Sequence, residues 1–357
     1  MPQNASDYYA QRDEMNYKRF QGVLGGLPEF CEEFFLGIKQ HTSMLTRLNY
    51  AYDLKAFFTF LTVAVREFKG RAVTDFKIAD LNAVTVTHLE KYLEYLEFYE
   101  INGKKLSCGE RARSRKLACV KTMCKYFFNK EKLAADHSSK LKLPKLHDKE
   151  IIRLEVDEIA RLLNEAESGA ALSDTQKVYH RKTKKRDLAM LTLFLGTGIR
   201  ISECVGLNVD DIDFQINGFR VTRKGGSKVI LYFSDEVAAC LKEYLDGRAQ
   251  SDGERKAKNP KYTRNDALFL SLQEKRMSVR AVQELVKKYA RIISPLKKIT
   301  PHKLRSTYGT ALYKETHDIY VVADVLGHKD VNTTKKHYAA LSDDVRRAAA
   351  NKVKLRD

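Results

Sequence analysis

The chain has 357 residues, which is more than one ordinary hydrophobic core organises, so we expect two domains that divide the labour. It carries 64 Lys and Arg residues against 46 Asp and Glu, which gives a formal net charge of +18 at pH 7. This excess favours a polyanionic partner, with nucleic acid as the first candidate, over a neutral or acidic one. A solvated basic surface without a function is the alternative.

The distribution of apolar residues argues against a protein that spans a membrane. The longest apolar stretches, such as 188–195 and 56–65, are far shorter than the roughly 20 residues that a span needs. Residues 1–12 are polar and lack the apolar segment of a signal peptide. We therefore expect a cytoplasmic, nucleoid-associated protein with no membrane partner.

The six cysteines predict neither a disulfide framework nor a metal site. They are mostly far apart, form no CxxC pair and have no His beside them at metal-ligand spacing. We therefore expect reduced, mostly buried thiols and no bound metal. The six are Cys31, Cys108, Cys119, Cys124, Cys204 and Cys240.

The elements predicted for the first part of the chain are helical. Residues 1–28 are polar and end in Gly-Gly-Leu-Pro, which predicts an arm or a short helix followed by a breaker. Over residues 29–140 apolar residues recur at helical spacing, which predicts a bundle of about four helices, among them 85–98 and 112–128. Basic residues of the helix at 112–128 could face DNA phosphates, although a solvated helix face explains them almost as well. These candidates are Arg113, Arg115, Lys116 and Lys121.

A linker at residues 141–152, interrupted by Pro and rich in charge, separates a second domain at 153–357. This domain opens with a predicted helix at 156–167, and a dense basic run follows at 179–186. Two segments that alternate in strand fashion predict a β-hairpin. The expected fold class is therefore mainly α with a small β-sheet. The two strands are predicted at 218–223 and 228–233, and later helices at 279–292, 301–314, 319–326 and 342–354.

Two short motifs of the second domain carry residues suited to an anion. Arg200 follows a Gly-containing break, and Glu203, about one helical turn later, can orient a neighbouring basic group. A Thr-Pro pair at 300–301 is typical of a helix start, which puts His302 and Arg305 on one face near the N-terminus. That position would suit a phosphate. A surface ion pair and a chance HxxR pattern are the ordinary alternatives.

A third motif ends in a histidine. The segment Val-Leu-Gly-His at 325–328 predicts a helix that ends with Gly at its C-cap and leaves His328 at a rigid turn. Tyr338 lies ten residues beyond that histidine. A satisfied structural His and a Tyr buried in the core are the commoner roles for such residues.

The order of these pieces within one basic domain resembles the tyrosine recombinase, or phage integrase, family, which includes the Xer recombinases and the integrases of phages and conjugative transposons. The motifs GTGIRISE, PHKLR, LGHKDVNTT and the following Tyr carry the resemblance, which covers roughly residues 30–353. Residues 50–57 resemble the first helix of the family's core-binding domain. The resemblance implies a helical, SAM-like core-binding domain and a catalytic domain that form a C-shaped clamp around duplex DNA.

The resemblance also implies roles for the residues around the scissile phosphate. Arg200 and Arg305 would clamp the non-bridging oxygens, on which negative charge builds in the transition state, and Glu203 would position the first arginine. His302 and His328 would donate further hydrogen bonds or assist proton transfer.

In the same family Tyr338 would attack the phosphate to give a 3′-phosphotyrosyl intermediate and a free 5′ hydroxyl, with no metal, ATP or other cofactor. Lys224 of the hairpin would protonate the leaving 5′ oxygen, with Lys228 as the fallback. Tyr338 stands one residue farther from His328 than in many members, which leaves the local register open. His337 cannot form the tyrosyl link, so Tyr338 remains the predicted nucleophile.

The resemblance implies double-stranded DNA recombination sites as partner and a homotetramer that exchanges strands through a Holliday junction. An accessory DNA-bending or directionality factor is compatible with this scheme. The helix at 342–354 would dock into a neighbouring protomer, or else pack on its own domain. Base contacts are expected from the helices at 112–128 and 277–288, the second of which includes Arg280.

The biological role is open between two kinds of recombinase. An extra N-terminal arm and the predicted loops at 168–185 and 248–264 make the chain longer than a minimal Xer enzyme, which favours the integrase of a mobile element. A chromosomal dimer-resolving Xer recombinase is the alternative. A non-catalytic DNA-binding member is disfavoured by the intact residue set, and a type IB topoisomerase by the N-terminal bundle and the spacing of the LGH motif.

Overall fold

The computed structural model describes residues 5–101, 103–143, 152–223, 227–259, 261–327 and 331. They fall into two compact units, one within residues 7–149 and the other drawn mainly from residues 150–357. Both units are built mostly from helices, and the described strands form two small antiparallel sheets. The predicted class, mainly α with a small β-sheet, is confirmed. No helix in the described ranges is both long and apolar enough to cross a membrane.

The first unit contains five α-helices in the part of the chain that the structure describes, where the sequence predicted about four. Apolar faces of these helices meet in one core, rich in Phe side chains. The helices are α1 (Ala5–Leu24), α2 (Phe30–Gly37), α3 (Met44–Ala64), α4 (Val86–Tyr95) and α5 (Glu110–Asn129). Short 3₁₀ turns lie at Lys39–His41, Arg66–Phe68, Val73–Asp75, Ile78–Ala83 and His137–Lys140.

Helix α1 replaces the arm or short helix predicted for residues 1–28. Phe20 and Leu24 lie one helical turn apart on α1, and both are buried in the core of the unit. The ring of Phe20 packs edge-on against Phe35 of α2, with 4.9 Å between centroids. The polar composition of the segment concealed this single apolar face, which makes α1 part of the core.

A small hairpin follows α4, where the sequence predicted that a helix continues to residue 98. Strands β1 (Tyr99–Ile101) and β2 (Lys104–Leu106) pair antiparallel, and the sequence between them is Asn-Gly, a strong hairpin signal. Gly103 has φ +73°, a conformation open to glycine without strain. The helix therefore ends at Tyr95 and the chain reverses direction.

A buried carboxylate joins α3 to α5. Asp53 accepts a hydrogen bond of 3.0 Å from Lys116 Nζ and forms a second ion pair with Arg115. Burial raises the pKa of the Asp53 carboxyl, and the two cations oppose that rise. Lys116 is itself buried. It therefore compensates the charge of Asp53 inside the unit, which argues against the DNA contact predicted for Lys116.

We expect Asp53→Ala to lower the free energy of unfolding by about 3–5 kcal/mol, because it leaves the Lys116 ammonium buried without a counter-charge. Denaturant unfolding of the full chain measures this loss. Glu14→Ala is the control, since Glu14 pairs with Lys18 on the exposed face of α1, where solvent screens the pair and its loss changes stability little. Equal losses in the two variants would show that the buried pair is not a stability determinant.

The second unit combines helices with a three-stranded antiparallel sheet of order β3-β4-β5. The predicted hairpin is confirmed, with Gly218 opposite Tyr232 and Thr222 opposite Lys228, and the short strand β3 was not predicted. The strands are β3 (Ile212–Asp213), β4 (Gly218–Thr222) and β5 (Lys228–Tyr232), and a 3₁₀ turn lies at Val209–Asp211. The helices are α6 (Val156–Ser168), α7 (Asp174–Thr197), α8 (Ile201–Gly206), α9 (Asp235–Lys258), α10 (Val279–Ile293), α11 (Pro301–Thr316) and α12 (Ile319–Leu326).

The loops predicted at 168–185 and 248–264 are wrong over most of their length. Helix α7 begins at Asp174, capped by Ser173, and α9 extends to Lys258. The sequence suggested loops because these stretches are strongly charged. Charged residues are nevertheless good helix formers when one face of the helix is buried.

Helix α7 is the central element of the second unit, because α6, α9 and α11 all pack against it. Its buried Asp187 accepts hydrogen bonds of 3.0 Å from both Lys288 and Tyr289 of α10. Arg186 also donates to Asp187, so this carboxylate is fully compensated. These bonds fix the middle of α7 relative to α10.

Candidate active site

The site is built around the C-terminal end of α12. Asp318 caps the start of this helix by accepting from the backbone N–H of Tyr320 at 2.7 Å. Gly327 ends it in the left-handed conformation, with φ +62°, which confirms the predicted glycine C-cap. The last carbonyls of a helix have no backbone donors within the helix and form the negative end of its dipole. This end therefore attracts cations.

Three arginines supply donors to these carbonyls. Arg223 donates to the carbonyl oxygens of residues 324 and 325, at 3.2 and 2.8 Å. Arg305 donates to the carbonyl of residue 326, and Arg200 donates to that of residue 327 at 2.9 Å. Three guanidinium groups are thereby fixed around one helix end, a concentration of positive charge suited to a phosphate.

Arg305 connects two glycine turns. It is almost completely buried on α11, and besides its bond to α12 it donates to the carbonyl of Gly198, the residue that ends α7. Gly198 has φ +61°, and a Cβ there would lie 2.5 Å from Tyr308 Cδ1. Only glycine fits this close approach without displacing Tyr308. The Gly in the motif before Arg200 thus allows α7, α11 and α12 to meet.

Arg200 is held by Glu203, as the spacing of the two residues predicts. The Arg200 backbone N–H donates to one carboxylate oxygen of Glu203 at 3.0 Å, and its guanidinium donates to the other at 2.9 Å. Glu203 is buried, whereas the side chain of Arg200 remains 34% exposed. The carboxylate therefore orients a guanidinium that solvent, or a ligand, can still reach.

His302 lies in the first turn of α11, three residues before Arg305, and it is exposed. Pro301 begins the helix, as predicted. Thr300 occupies the N-cap position, but its side chain makes no capping hydrogen bond, so the predicted cap is wrong in that respect. The rigid φ of Pro301 in the first turn favours the helix start without a side-chain cap.

The structure thus brings together Arg200, Glu203 and Arg305, with His302 on the same helix as Arg305. The other predicted members of the site, Lys224, His328 and Tyr338, lie outside the described residues, as do residues 342–354. Two of these follow directly in sequence on residues that belong to the arginine cluster: Lys224 on Arg223 and His328 on Gly327.

Sequence reasoning missed Arg223. The strand alternation placed it at the end of a hairpin strand, and only the neighbouring Lys224 was considered for chemistry. Its partners lie about a hundred residues later in the chain, and local patterns do not report such distant contacts. Its position directly before a candidate acid was the one available signal.

The remaining predicted DNA-binding residues lie on helix surfaces of the two units. Arg113 forms an ion pair with Glu97, and Lys121 donates to the backbone carbonyl of Leu141 at 2.6 Å. Arg115 shares Asp53 with Lys116 but is about half exposed. In the second unit Arg280 is 77% exposed and pairs with Glu284 on the next turn of α10. Unlike Lys116, none of these four is buried.

The cysteines take no part in this cluster. All six are free thiols, and four of them are buried, as predicted. Burial raises the pKa of the Cys124 thiol to about 12, which keeps it protonated and unreactive. Among the described residues there is no group of three or more His, Cys, Asp or Glu side chains that could hold a metal ion.

Residues 153–344 match the Phage integrase family, which covers more than half of the chain. The chain belongs to this family. It is a tyrosine recombinase, an enzyme that cleaves and rejoins DNA. It is 31% identical over 337 residues to tyrosine recombinase XerC of Caldanaerobacter subterraneus subsp. tengcongensis, a match that covers 91% of this chain and 86% of the relative. Tyrosine recombinase XerD of Bifidobacterium longum is 29% identical over 318 residues, with 88% and 93% covered.

Solved structures of tyrosine recombinases share the fold. XerH bound to a palindromic difH substrate, in a post-cleavage complex, superposes with a TM-score of 0.63 at 16% identity, over 87% of this chain and 81% of that one. The Tn1549 transposon integrase in complex with a circular intermediate DNA gives a TM-score of 0.59 at 16% identity, over 90% and 99%. At such low sequence identities the likeness shows a shared fold alone.

We expect Gly327→Ala to slow DNA cleavage by this recombinase by about 10²-fold, because a Cβ would lie 1.8 Å from Arg223 Nη1 and would displace the cluster by about an ångström. Single-turnover cleavage of the same duplex by both proteins measures the effect. Gly253→Ala is the matched control, since Gly253 is an exposed residue of α9 with nothing within 4 Å of an added Cβ. Unchanged cleavage in Gly327→Ala would contradict a requirement for this packing.

Proposed function

We propose that the protein is a site-specific recombinase of the Xer type, which cuts duplex recombination sites through a covalent 3′-phosphotyrosyl bond to Tyr338. The observation that carries this proposal is the arginine cluster, in which Arg200 and Arg305 are fixed by backbone carbonyls and by Glu203. Guanidinium groups held in place before the reaction stabilise the charge of a phosphoryl transition state without reorganising.

The arrangement of the two arginines suits a phosphate bound at the surface of the unit. Arg305 is buried and anchors the helix ends, whereas Arg200 is partly exposed and oriented by Glu203. His302, exposed near the start of α11, adds an imidazole and the positive end of that helix's dipole on the same helix. Together they supply donors for the non-bridging oxygens of a scissile phosphate.

The proposed chemistry is a pair of balanced transesterifications. The Tyr338 oxygen forms a bond to phosphorus while the bond from phosphorus to the 5′ oxygen breaks, and Lys224 gives a proton to that leaving oxygen. His302 or His328 accepts the proton that the Tyr338 phenol loses, and both histidines can hydrogen-bond to the phosphate. Attack by the 5′ hydroxyl of a partner strand then reverses the step. Exchange between two duplexes requires four cuts, so we propose a homotetramer that proceeds through a Holliday junction.

The choice of the Xer type over a mobile-element integrase rests on two observations. Relatives named XerC and XerD align over about nine-tenths of the chain, at 31% and 29% identity. The extra chain length is also less of an argument for a mobile element, because the segments predicted as an arm and as loops are largely helices of the two units. The integrase of a mobile element remains the second candidate, and the location of the target site distinguishes the two.

We expect Tyr338→Phe to abolish covalent capture of DNA, because phenylalanine has no oxygen to attack phosphorus. The wild-type protein and the variant are incubated in EDTA with nicked duplexes, and the adduct is measured on denaturing gels. Tyr320→Phe is the control, since Tyr320 is an exposed tyrosine of α12. An adduct that survives in Tyr338→Phe would overturn the assignment of the nucleophile.

The target is found by trapping the covalent complex in the cell of origin and sequencing the attached DNA. The Xer type predicts one chromosomal locus that is unrelated in position to the gene for this protein, whereas an integrase predicts DNA that flanks its own gene. If the trapped DNA comes only from the regions that flank the gene, the proposed Xer type is overturned. Failure to trap any DNA with the wild-type protein would overturn the proposed recombinase activity.

A further inference from the structure

We propose that Arg223 is a positioning residue. It connects the base of the β4–β5 hairpin to the C-terminal end of α12 and so positions Lys224 and His328 for the reaction. The inference rests on the roles proposed above for Lys224 and His328. It assigns a function to a side chain that directly precedes Lys224 in the chain.

Arg223 lies at the end of the paired part of the hairpin. Its backbone N–H donates to the carbonyl of Ser227 at 2.8 Å, so residues 223 and 227 pair beyond the last residues of β4 and β5. Lys224 is the first residue beyond this pair, and successive Cα atoms lie about 3.8 Å apart. The place of Arg223 therefore limits where Lys224 can go.

The side chain of Arg223 makes the second connection. Its two terminal nitrogens donate to the carbonyl oxygens of Asp324 and Val325, at 3.2 and 2.8 Å. The guanidinium also lies directly against Gly327, where a Cβ would be 1.8 Å from Nη1. His328 follows Gly327 in sequence, so one side chain connects the residue before the candidate acid to the turn before the candidate histidine.

Arg223 also lies within the electrostatic field of the site. Burial lowers the pKa of its guanidinium, the carboxylate of Glu203 opposes that shift, and the charge of Arg200 adds to it. Arginine remains charged even so. The Arg223 guanidinium has lost part of its hydration and is bound by the helix carbonyls. These hydrogen bonds make the contact directional as well as electrostatic.

The end of α12 does not depend on Arg223 alone. Arg305 and Arg200 bind the carbonyls of residues 326 and 327, and Arg305 also fixes α7 through Gly198. Removal of the Arg223 side chain leaves those bonds in place, and water can bind the carbonyls of residues 324 and 325. We therefore expect the fold to persist while the hairpin base loses its attachment.

The consequence is a specific defect in protonation of the leaving group. A general acid acts only within hydrogen-bond distance of its target, and a misplacement of about 1 Å costs on the order of 10²-fold in rate. A 5′ sulfur in place of the 5′ oxygen leaves as a thiolate, whose conjugate acid has a pKa of about 8.5, so it needs no proton from the enzyme. Substitution at the leaving atom thus separates acid catalysis from phosphate binding.

The experiment measures single-turnover cleavage of the mapped target duplex with oxygen or with bridging sulfur at the scissile 5′ position. The variants of the full chain are Arg223→Ala, Arg223→Lys and Lys224→Ala, and Arg220→Ala is the matched control because Arg220 is an exposed arginine of β4. Thermal melting of each protein reports whether it remains folded.

We expect Arg223→Ala to cleave the oxygen substrate about 10²-fold more slowly than wild type and the sulfur substrate within a few-fold, as Lys224→Ala does. Arg223→Lys should recover part of the rate, since one ammonium can still bind a helix carbonyl, and Arg220→Ala should cleave both substrates normally.

Equal slowing of Arg223→Ala on both substrates would overturn the proposal and place Arg223 in phosphate binding or folding, and normal cleavage of both would also overturn it. If sulfur does not rescue Lys224→Ala, the acid assignment fails and this proposal fails with it. Failure of the proposed function has a different signature, the absence of a Tyr338-dependent adduct in the wild-type protein on either substrate.

Discussion

The carbonyl oxygens at the C-terminal end of α12 are the constraint on which the arrangement of the candidate site depends. A helix end exposes acceptors that its own backbone cannot satisfy, and here the donors come from three separate stretches of chain. The end of β4, the start of α8 and the first half of α11 all converge on one short helix. The polarity of the peptide backbone therefore assembles the positive charge that a phosphate would meet.

The basic residues of this chain have two different uses. In the first unit Lys116 and Arg115 compensate the buried Asp53, and in the second Lys288 and Arg186 compensate Asp187. These cations contribute to the net charge of the chain but stabilise its interior. At the candidate site Arg200, Arg223 and Arg305 all donate to neutral backbone carbonyls, and Glu203 pairs with Arg200. A basic composition therefore indicates a polyanionic partner only after the internal pairs have been identified.

Local features could be predicted from the sequence, and contacts between distant segments could not. The β4–β5 hairpin, the Gly327 cap and the pairing of Arg200 with Glu203 depend on neighbouring residues, and each follows from spacing or turn chemistry. The burial of Lys116 and the role of Arg223 depend on partners 63 and about a hundred residues away. The charged parts of α7 and α9 were misjudged because polarity was given more weight than helix propensity.

The contact between Arg223 and Gly327 also couples the evolution of two positions. Any side chain at 327 would occupy the space of the guanidinium at 223, and a smaller residue at 223 would open that space. Loss of the arginine first makes room for a side chain at 327, whereas the reverse order creates a steric clash. Among descendants of this chain, a residue other than glycine at 327 should therefore occur together with a short side chain at 223.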